Sequence, residues 1–167
     1  EILYNASPMH DVGKIGIPDH ILLKQGALSP DEWEVMKCHP QMGADIIGQH
    51  TDELLQTAWM IALCHHEKWD GSGYPHGLKG EAIPLLARIA ALADVFDALT
   101  TERPYKQAWT VDAAVSHIEA SAGSHFDPAL IEPFKRALPQ MLRIREQFAD
   151  SHGALEDVDG VALPASA

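Results

Sequence analysis

Four separated segments carry side chains of the kinds that ligate metal ions. They are Met9-His10-Asp11, Cys38-His39-Pro40, Cys64-His65-His66 and Ala93-Asp94-Val95-Phe96-Asp97. Imidazole nitrogens combined with carboxylate oxygens suit a hard or borderline divalent metal, and a carboxylate can bridge two ions. Taken together, the four segments suit two ions better than one. Lys14 lies three residues beyond Asp11, and Arg103 and Lys106 flank a Pro-Tyr turn just past the Asp94 segment. In a chain with a net charge of −12, cations near the ligands point to an anionic, phosphate-bearing substrate. Trp69 and Tyr74 offer ring faces on which a nucleobase can stack.

Taken singly, each segment has a plainer reading. His10-Asp11 also suits a helix-end cap pair, and His39 a solvated histidine ahead of a proline. Asp94 reads as a surface carboxylate, although its Ala-Leu-Ala flank argues against that, because a buried ionised carboxylate is costly unless it is paired or metal-bound. Asp97 also suits an ion pair with Arg88 or Arg103. Cys38 and Cys64 are either soft ligands or small buried fillers. Trp69 and Tyr74 serve equally well as loop anchors. The argument for a metal rests on all four segments meeting.

The elements that must bring them together are helical. Residues 1–12 read as the end of a helix, with Ile2, Leu3, Ala6 and Met9 on one stripe and Pro8 kinking it or delaying its start. Gly13 breaks that pattern, and residues 15–23 suggest a loop and a short helical turn. Ser29-Pro30-Asp31-Glu32 is a capping box opening a helix to about Gly48, interrupted near Pro40. A further helix starts at Thr51-Asp52-Glu53 and ends at His65-His66. Residues 67–83 form a glycine-broken loop, long enough to suggest a functional role. Pro84 opens a helix to about Thr101, Thr110 caps one over 111–122, and Asp127-Pro128 starts the last, which Pro133 and Pro139 are expected to bend. No strand alternation or internal repeat is visible, so the fold class is all-α.

Composition narrows the setting. At 167 residues and 46% apolar, the chain can bury one sizeable core. No apolar run approaches the ~20 residues that cross a bilayer. The acidity excludes a nonspecific nucleic-acid binder, which needs a basic face. Two cysteines, each beside a histidine, form no disulfide framework and suggest a reduced, cytoplasmic setting. One catalytic domain is expected over 1–149, and an acidic, disordered tail over 150–167. The start at Glu1, in mid-pattern, reads as that of an N-terminally truncated fragment.

His10-Asp11 followed by Gly13-Lys14-Ile15-Gly16-Ile17-Pro18-Asp19 resembles the start of the catalytic core of HD-GYP domains, a branch of the HD superfamily of metal-dependent phosphohydrolases. The run from His65 to Pro75 carries the Gly73-Tyr74-Pro75 signature. Residues 94–106 and Ser124-His125-Phe126-Asp127-Pro128 are also similar to that family. The likeness covers about residues 2–135.

The resemblance implies an HD-type helical bundle with two or three divalent ions, iron or manganese. The ligands it implies are His10, Asp11, His39, His65, His66 and Asp94, with Asp11 bridging. It implies that Lys14, Arg103 and Lys106 hold phosphate and that Gly73 and Tyr74 line a guanine-binding loop, with Asp11 and Lys14 central to catalysis. The implied activity is hydrolysis of the bacterial second messenger cyclic di-GMP to linear pGpG and/or GMP. Family members carry a further His, and some a Glu, on a helix before the His-Asp pair, and a receiver or sensor domain often stands upstream. Two rivals stay open: a signalling module that binds the nucleotide or a partner protein through the Gly-Tyr-Pro loop without turnover, and an oxygen-dependent HD-type enzyme.

Overall fold

The computed structural model describes residues 1–102 and 107–156, with side chains to residue 147. It is all-α. The helices are α1 (Ile2–Ala6), α2 (Asp19–Leu22), α3 (Pro30–Met36), α4 (His39–Ile47), α5 (Glu53–Cys64), α6 (Leu85–Thr100), α7 (Val111–Ala120) and α8 (Pro128–Glu156). No strand forms among the described residues, where Ala122 and Phe126 make an isolated bridge. The chain falls into two units, the first Glu1–Ile131 and the second beginning at Glu132. Every described residue of the candidate site lies in the first unit.

Local chemistry accounts for the boundaries. Ser29 caps α3 in a full capping box with Glu32, whose carboxylate also meets Lys24 at 2.5 Å. The break between α3 and α4 falls at Lys37-Cys38, placing Pro40 in the first turn of α4, where its missing N–H costs nothing. Asp52 caps α5 and Thr110 caps α7. The helix expected over residues 1–12 is instead short: α1 stops at Ala6, and Ser7–Met9 forms a 3-10 turn containing Pro8. α8 runs to Glu156, with Pro133 and Pro139 inside it; most of the expected tail, residues 157–167, lies outside the described residues.

α5 is the central helix. On one side Ala58 and Ile61 are buried with Ala6, and Leu3, Met9, Ile47, Leu54, Leu86 and Ala90 pack around them. On another, Leu63 and Cys64 pack with Ala44, Ile83 and Ala87. Alanines at these contacts let the helix axes approach closely while apolar area leaves water. Cys64 is therefore a core filler, its thiol pushed up to about 11 by burial and then by Glu67. Cys38 is exposed and donates to the Glu34 carbonyl, so neither cysteine joins the ligand cluster.

Arg88 corrects one expectation. It pairs with Asp127, not Asp97: Nη1 lies 2.5 Å from Oδ2, with side chains 15% and 4% exposed. The guanidinium also sits over the Trp69 ring, 5.6 Å from its centroid. Asp97 instead accepts from the Thr101 hydroxyl. Arg88→Met should lower the unfolding free energy by about 3 kcal/mol or more, because it strands a buried carboxylate. Urea denaturation measures this, and a loss under about 1 kcal/mol would contradict a buried pair that holds α6 to the start of α8.

Candidate metal centre

The ligand segments converge through close backbone packing. After the Ser7–Met9 turn the chain presents His10 and Asp11, and Asp11 opens a second 3-10 turn, Val12–Gly16. That turn lies directly on α4. A Cβ built on Gly13 would stand 1.9 Å from the His39 carbonyl oxygen and 2.4 Å from the Gly43 nitrogen. Only glycine permits this approach, which brings Asp11 beside His39 at the head of α4. His65 caps the C-terminus of α5 and His66 follows it, so both rings turn back toward the same point. Asp94 projects from the middle of α6.

Asp11 is the hub. Its Oδ1 lies 3.4 Å from His39 Nε2 and 3.7 Å from His65 Nε2. Its Oδ2 lies 3.3 Å from His10 Nε2 and 2.5 Å from Lys14 Nζ. His10 Nε2 is also 3.7 Å from Asp94 Oδ1. Asp11, His39, His65 and His66 each offer a ligand atom, all within 4.8 Å of one another. His39 and His65 form a buried floor, while His10, Asp11, Lys14 and Asp94 are partly exposed on the open side. There a cavity of about 420 Å³ is lined by Tyr4, His10, His65, Asp94 and Asp97, among others.

The proton positions fit a cation. His10 Nδ1 meets the Ser7 carbonyl at 2.7 Å, and His39 Nδ1 meets that of Met36 at 2.7 Å. His65 Nδ1 meets the carbonyls of Ile61 and Ala62 at 3.1 and 2.9 Å. A carbonyl only accepts, so each Nδ1 carries the proton and, in the neutral ring, each Nε2 is a bare lone pair facing Asp11. The Nε2 atoms of His39 and His65 stand 3.4 Å apart, and those of His39 and His66 3.1 Å apart. Asp11 Oδ1 is buried and accepts no hydrogen bond. Opposed lone pairs around an unsatisfied carboxylate oxygen are unfavourable in an empty protein interior and correct for a divalent metal. The carbonyls that fix the rings supply the outer support such ligands need.

Electrostatics keep the donors ready. Burial, followed by His65 and His39, holds His66 down to about 2, and burial also lowers His39. Burial pushes Asp11 upward, but the neighbouring His10, His65 and Lys14 outweigh it and hold the carboxyl well below its usual range. Away from the centre, burial and then Lys68 lower His125 to about 4. Below about pH 6.5 the unfolded chain protonates these histidines and the folded chain does not, so stability is lost as pH falls. His10, raised chiefly by Asp11, works in the opposite sense. Metal-stripped protein should therefore melt at progressively lower temperature between about pH 6.5 and pH 4, His66 alone contributing up to about 1.4 kcal/mol per pH unit. Thermal unfolding across that range checks this; a flat or rising melting temperature would contradict it.

The loop after His66 is built against the centre. Glu67 is buried, and its two carboxylate oxygens accept from the backbone N–H groups of His76 and Leu78 at 2.8 and 2.9 Å. A Cβ on Gly73 would stand 2.3 Å from the Lys68 nitrogen and 2.6 Å from the His66 carbonyl oxygen, so Gly73 is where the loop folds back on its own root. The Tyr74 ring stacks on His66, with centroids 4.8 Å apart and planes at 25°. Burial, then Asp11 and Asp94, push its phenol up to about 12. Trp69 is held through its backbone to His125 and Gly80, and its ring lies under Arg88, which favours the anchor reading. Arg103 and Lys106 lie outside the described residues. Sequence reasoning passed over Glu67; its place between His66 and a glycine-rich loop, whose N–H groups need acceptors, was the available signal.

An α-helical bundle holding a His-Asp cluster of this geometry defines an HD-type metal-binding domain. The HD domain family matches residues 2–130. The chain belongs to that family and, through the Gly73-Tyr74-Pro75 signature, to its HD-GYP branch. It is 51% identical over 148 residues to the cyclic di-GMP phosphodiesterase response regulator RpfG of Xanthomonas campestris pv. campestris, covering 89% of this chain and 39% of that protein. It is 49% identical over 156 residues to a cyclic di-GMP phosphodiesterase of Vibrio cholerae, covering 90% and 32%. A 3'3'-cGAMP-specific phosphodiesterase 2 of the same organism is 45% identical over 150 residues, covering 90% and 29%. The chain thus spans between a quarter and two fifths of the length of these curated relatives. The crystal structure of a cyclic GMP-AMP-specific phosphodiesterase of V. cholerae superposes with a TM-score of 0.59 at 23% identity, over 83% of this chain and 38% of that one, a likeness of fold. No helix among the described residues is long and apolar enough to cross a membrane.

Proposed function

We propose that this chain is the catalytic domain of a metal-dependent phosphodiesterase that hydrolyses cyclic di-GMP to linear pGpG and/or GMP. The observation that carries the reading is the unsatisfied, buried Asp11 Oδ1 faced by the Nε2 atoms of His39 and His65, at the edge of an open cavity. The names of the relatives supply the substrate class. Asp11, His39, His65 and His66 would hold one ion, and His10 and Asp94, sharing Asp11, would hold a second. Two or three divalent ions, iron or manganese, suit a donor set of nitrogen and oxygen alone.

When bound, the ions supply Lewis acidity toward the phosphate and an activated water at neutral pH. The side chains do the rest. Lys14 holds Asp11 ionised and oriented, and its remaining N–H groups offset charge developing on the phosphate. His39 and His65 keep water off the floor. Tyr74 fixes the His66 ring, and Gly73 allows the turn that puts Tyr74 there. Arg103 and Lys106 are assigned to phosphate binding. Water adds to phosphorus as the bond to the 3′ oxygen breaks, and the proton leaves on that oxygen, giving pGpG; a second water gives GMP. A receiver or sensor domain upstream would regulate the site.

The test is turnover of cyclic di-GMP and of 3'3'-cGAMP by anaerobically prepared full-length protein, with products separated chromatographically. Formation of pGpG or GMP is expected. A protein that binds cyclic di-GMP and leaves it intact would favour a binding module, and turnover that requires oxygen would favour an oxygenase.

A further inference from the structure

Trp33 is the feature that the metal centre and the signature loop leave unexplained. It lies on α3, and 45% of its surface is exposed, a large apolar ring kept in water. It stands in line with the site. Its ring meets Tyr74 edge-on, with centroids 6.2 Å apart and planes at 82°, and Tyr74 in turn stacks on the ligand His66 at 4.8 Å. The indole is therefore two ring contacts from a metal ligand.

The two aromatic residues are not equivalent. Tyr74 gives one face to His66, and its backbone N–H donates to the His66 carbonyl oxygen, so it is committed to the centre. Trp33 meets Tyr74 at a T-shaped angle and keeps 45% of its surface exposed, which leaves part of the indole open to another partner. The platform beneath it is stiff: the Ser29–Glu32 capping box and the Lys24–Glu32 pair fix the first turn of α3, where Trp33 sits. A rigid indole beside a phosphate-binding centre suits recognition of a base by stacking, which needs no positive charge and so suits a chain this acidic.

We propose that Trp33 is a substrate-positioning residue whose indole stacks one nucleobase of the cyclic dinucleotide while its phosphate is held at the Asp11 centre. The proposal rests on the phosphodiesterase reading for its ligand. It differs from a purely structural role, in which Trp33 props Tyr74 and through it His66, in what its removal changes. Loss of a stacking face weakens substrate binding and spares the centre, whereas loss of a prop disturbs the centre itself.

The experiment compares full-length parent, Trp33→Ala and Trp33→Phe proteins in steady-state turnover of cyclic di-GMP, with metal per chain assayed in the same samples. Trp33→Ala should raise KM about tenfold or more, the scale of one lost base stack. It should leave kcat within about twofold and metal content unchanged, and Trp33→Phe should recover most of the loss. An unchanged KM overturns the proposal, as does a joint fall of kcat and metal content. Calorimetric binding of cyclic di-GMP to the same three proteins separates this from the activity reading. If the parent binds without turnover, the phosphodiesterase reading fails, and a weakened Trp33→Ala complex still supports the stack.

Discussion

Asp11→Ala protein should retain its helices and lose both its metal and its hydrolytic activity. Asp11 Oδ1 is faced by two imidazoles, Oδ2 by a third, and Lys14 is tethered to the same carboxylate. Removing the side chain leaves the Nε2 atoms of His39 and His65 opposed at 3.4 Å with no anionic partner. It also releases Lys14 beside a site meant for cations. Outer partners of metal ligands already cost about 10–100-fold when removed, so loss of the shared carboxylate should cost more than about a hundredfold in turnover. Metal per chain should fall in parallel. Circular dichroism should change little, because the backbone of this turn is held by Lys14 N to Asp11 O and by Gly13 against α4, not by the carboxylate. An Asp11→Ala protein that turned over substrate near the parent rate would remove Asp11 from the centre of the chemistry.

Gly13→Ala should be the most damaging single methyl group in the site region. The added Cβ would meet two backbone atoms, the His39 carbonyl oxygen at 1.9 Å and the Gly43 nitrogen at 2.4 Å, and neither can rotate away. The 3-10 turn would have to lift off α4, separating Asp11 from His39. Overpacking of this kind should cost about 3 kcal/mol or more, a fall in melting temperature of roughly 10 °C for a domain of this size. Gly16→Ala is the control: its Cβ would meet the flexible Met42 side chain, with Sδ at 2.7 Å, and should cost about 1 kcal/mol or less. Differential scanning calorimetry distinguishes the two, and equal melting temperatures would contradict the packing argument.

The ligand segments were legible because their chemistry is local. His65-His66 at the end of an apolar helix and Asp94 within one are residue types out of place, and the capping box at Ser29 wrote the start of α3 directly. What could not be read was what each residue meets across the fold. Gly13 registers in sequence as a break in a pattern, and only the approach of α4 shows why a side chain is excluded there. Gly73 and Tyr74 read as a substrate loop, and only the fold shows that Gly73 also packs on Lys68 and that Tyr74 also stacks on His66. Arg88 is closest in sequence to the acids of its own helix, yet its partner Asp127 lies 39 residues away. Trp33 gave no signal at all, since an aromatic in a short amphipathic helix is ordinarily core.

The central claim is that the Asp11 cluster holds the metal on which hydrolysis depends. It is tested most directly on full-length protein by measuring metal per chain and cyclic di-GMP turnover in one sample, before chelation, after chelation and after adding iron or manganese back. The active protein should hold at least two ions per chain, lose turnover on chelation, and recover it on metal return in the parent but not in Asp11→Ala. Turnover that survived with the metal removed would contradict it.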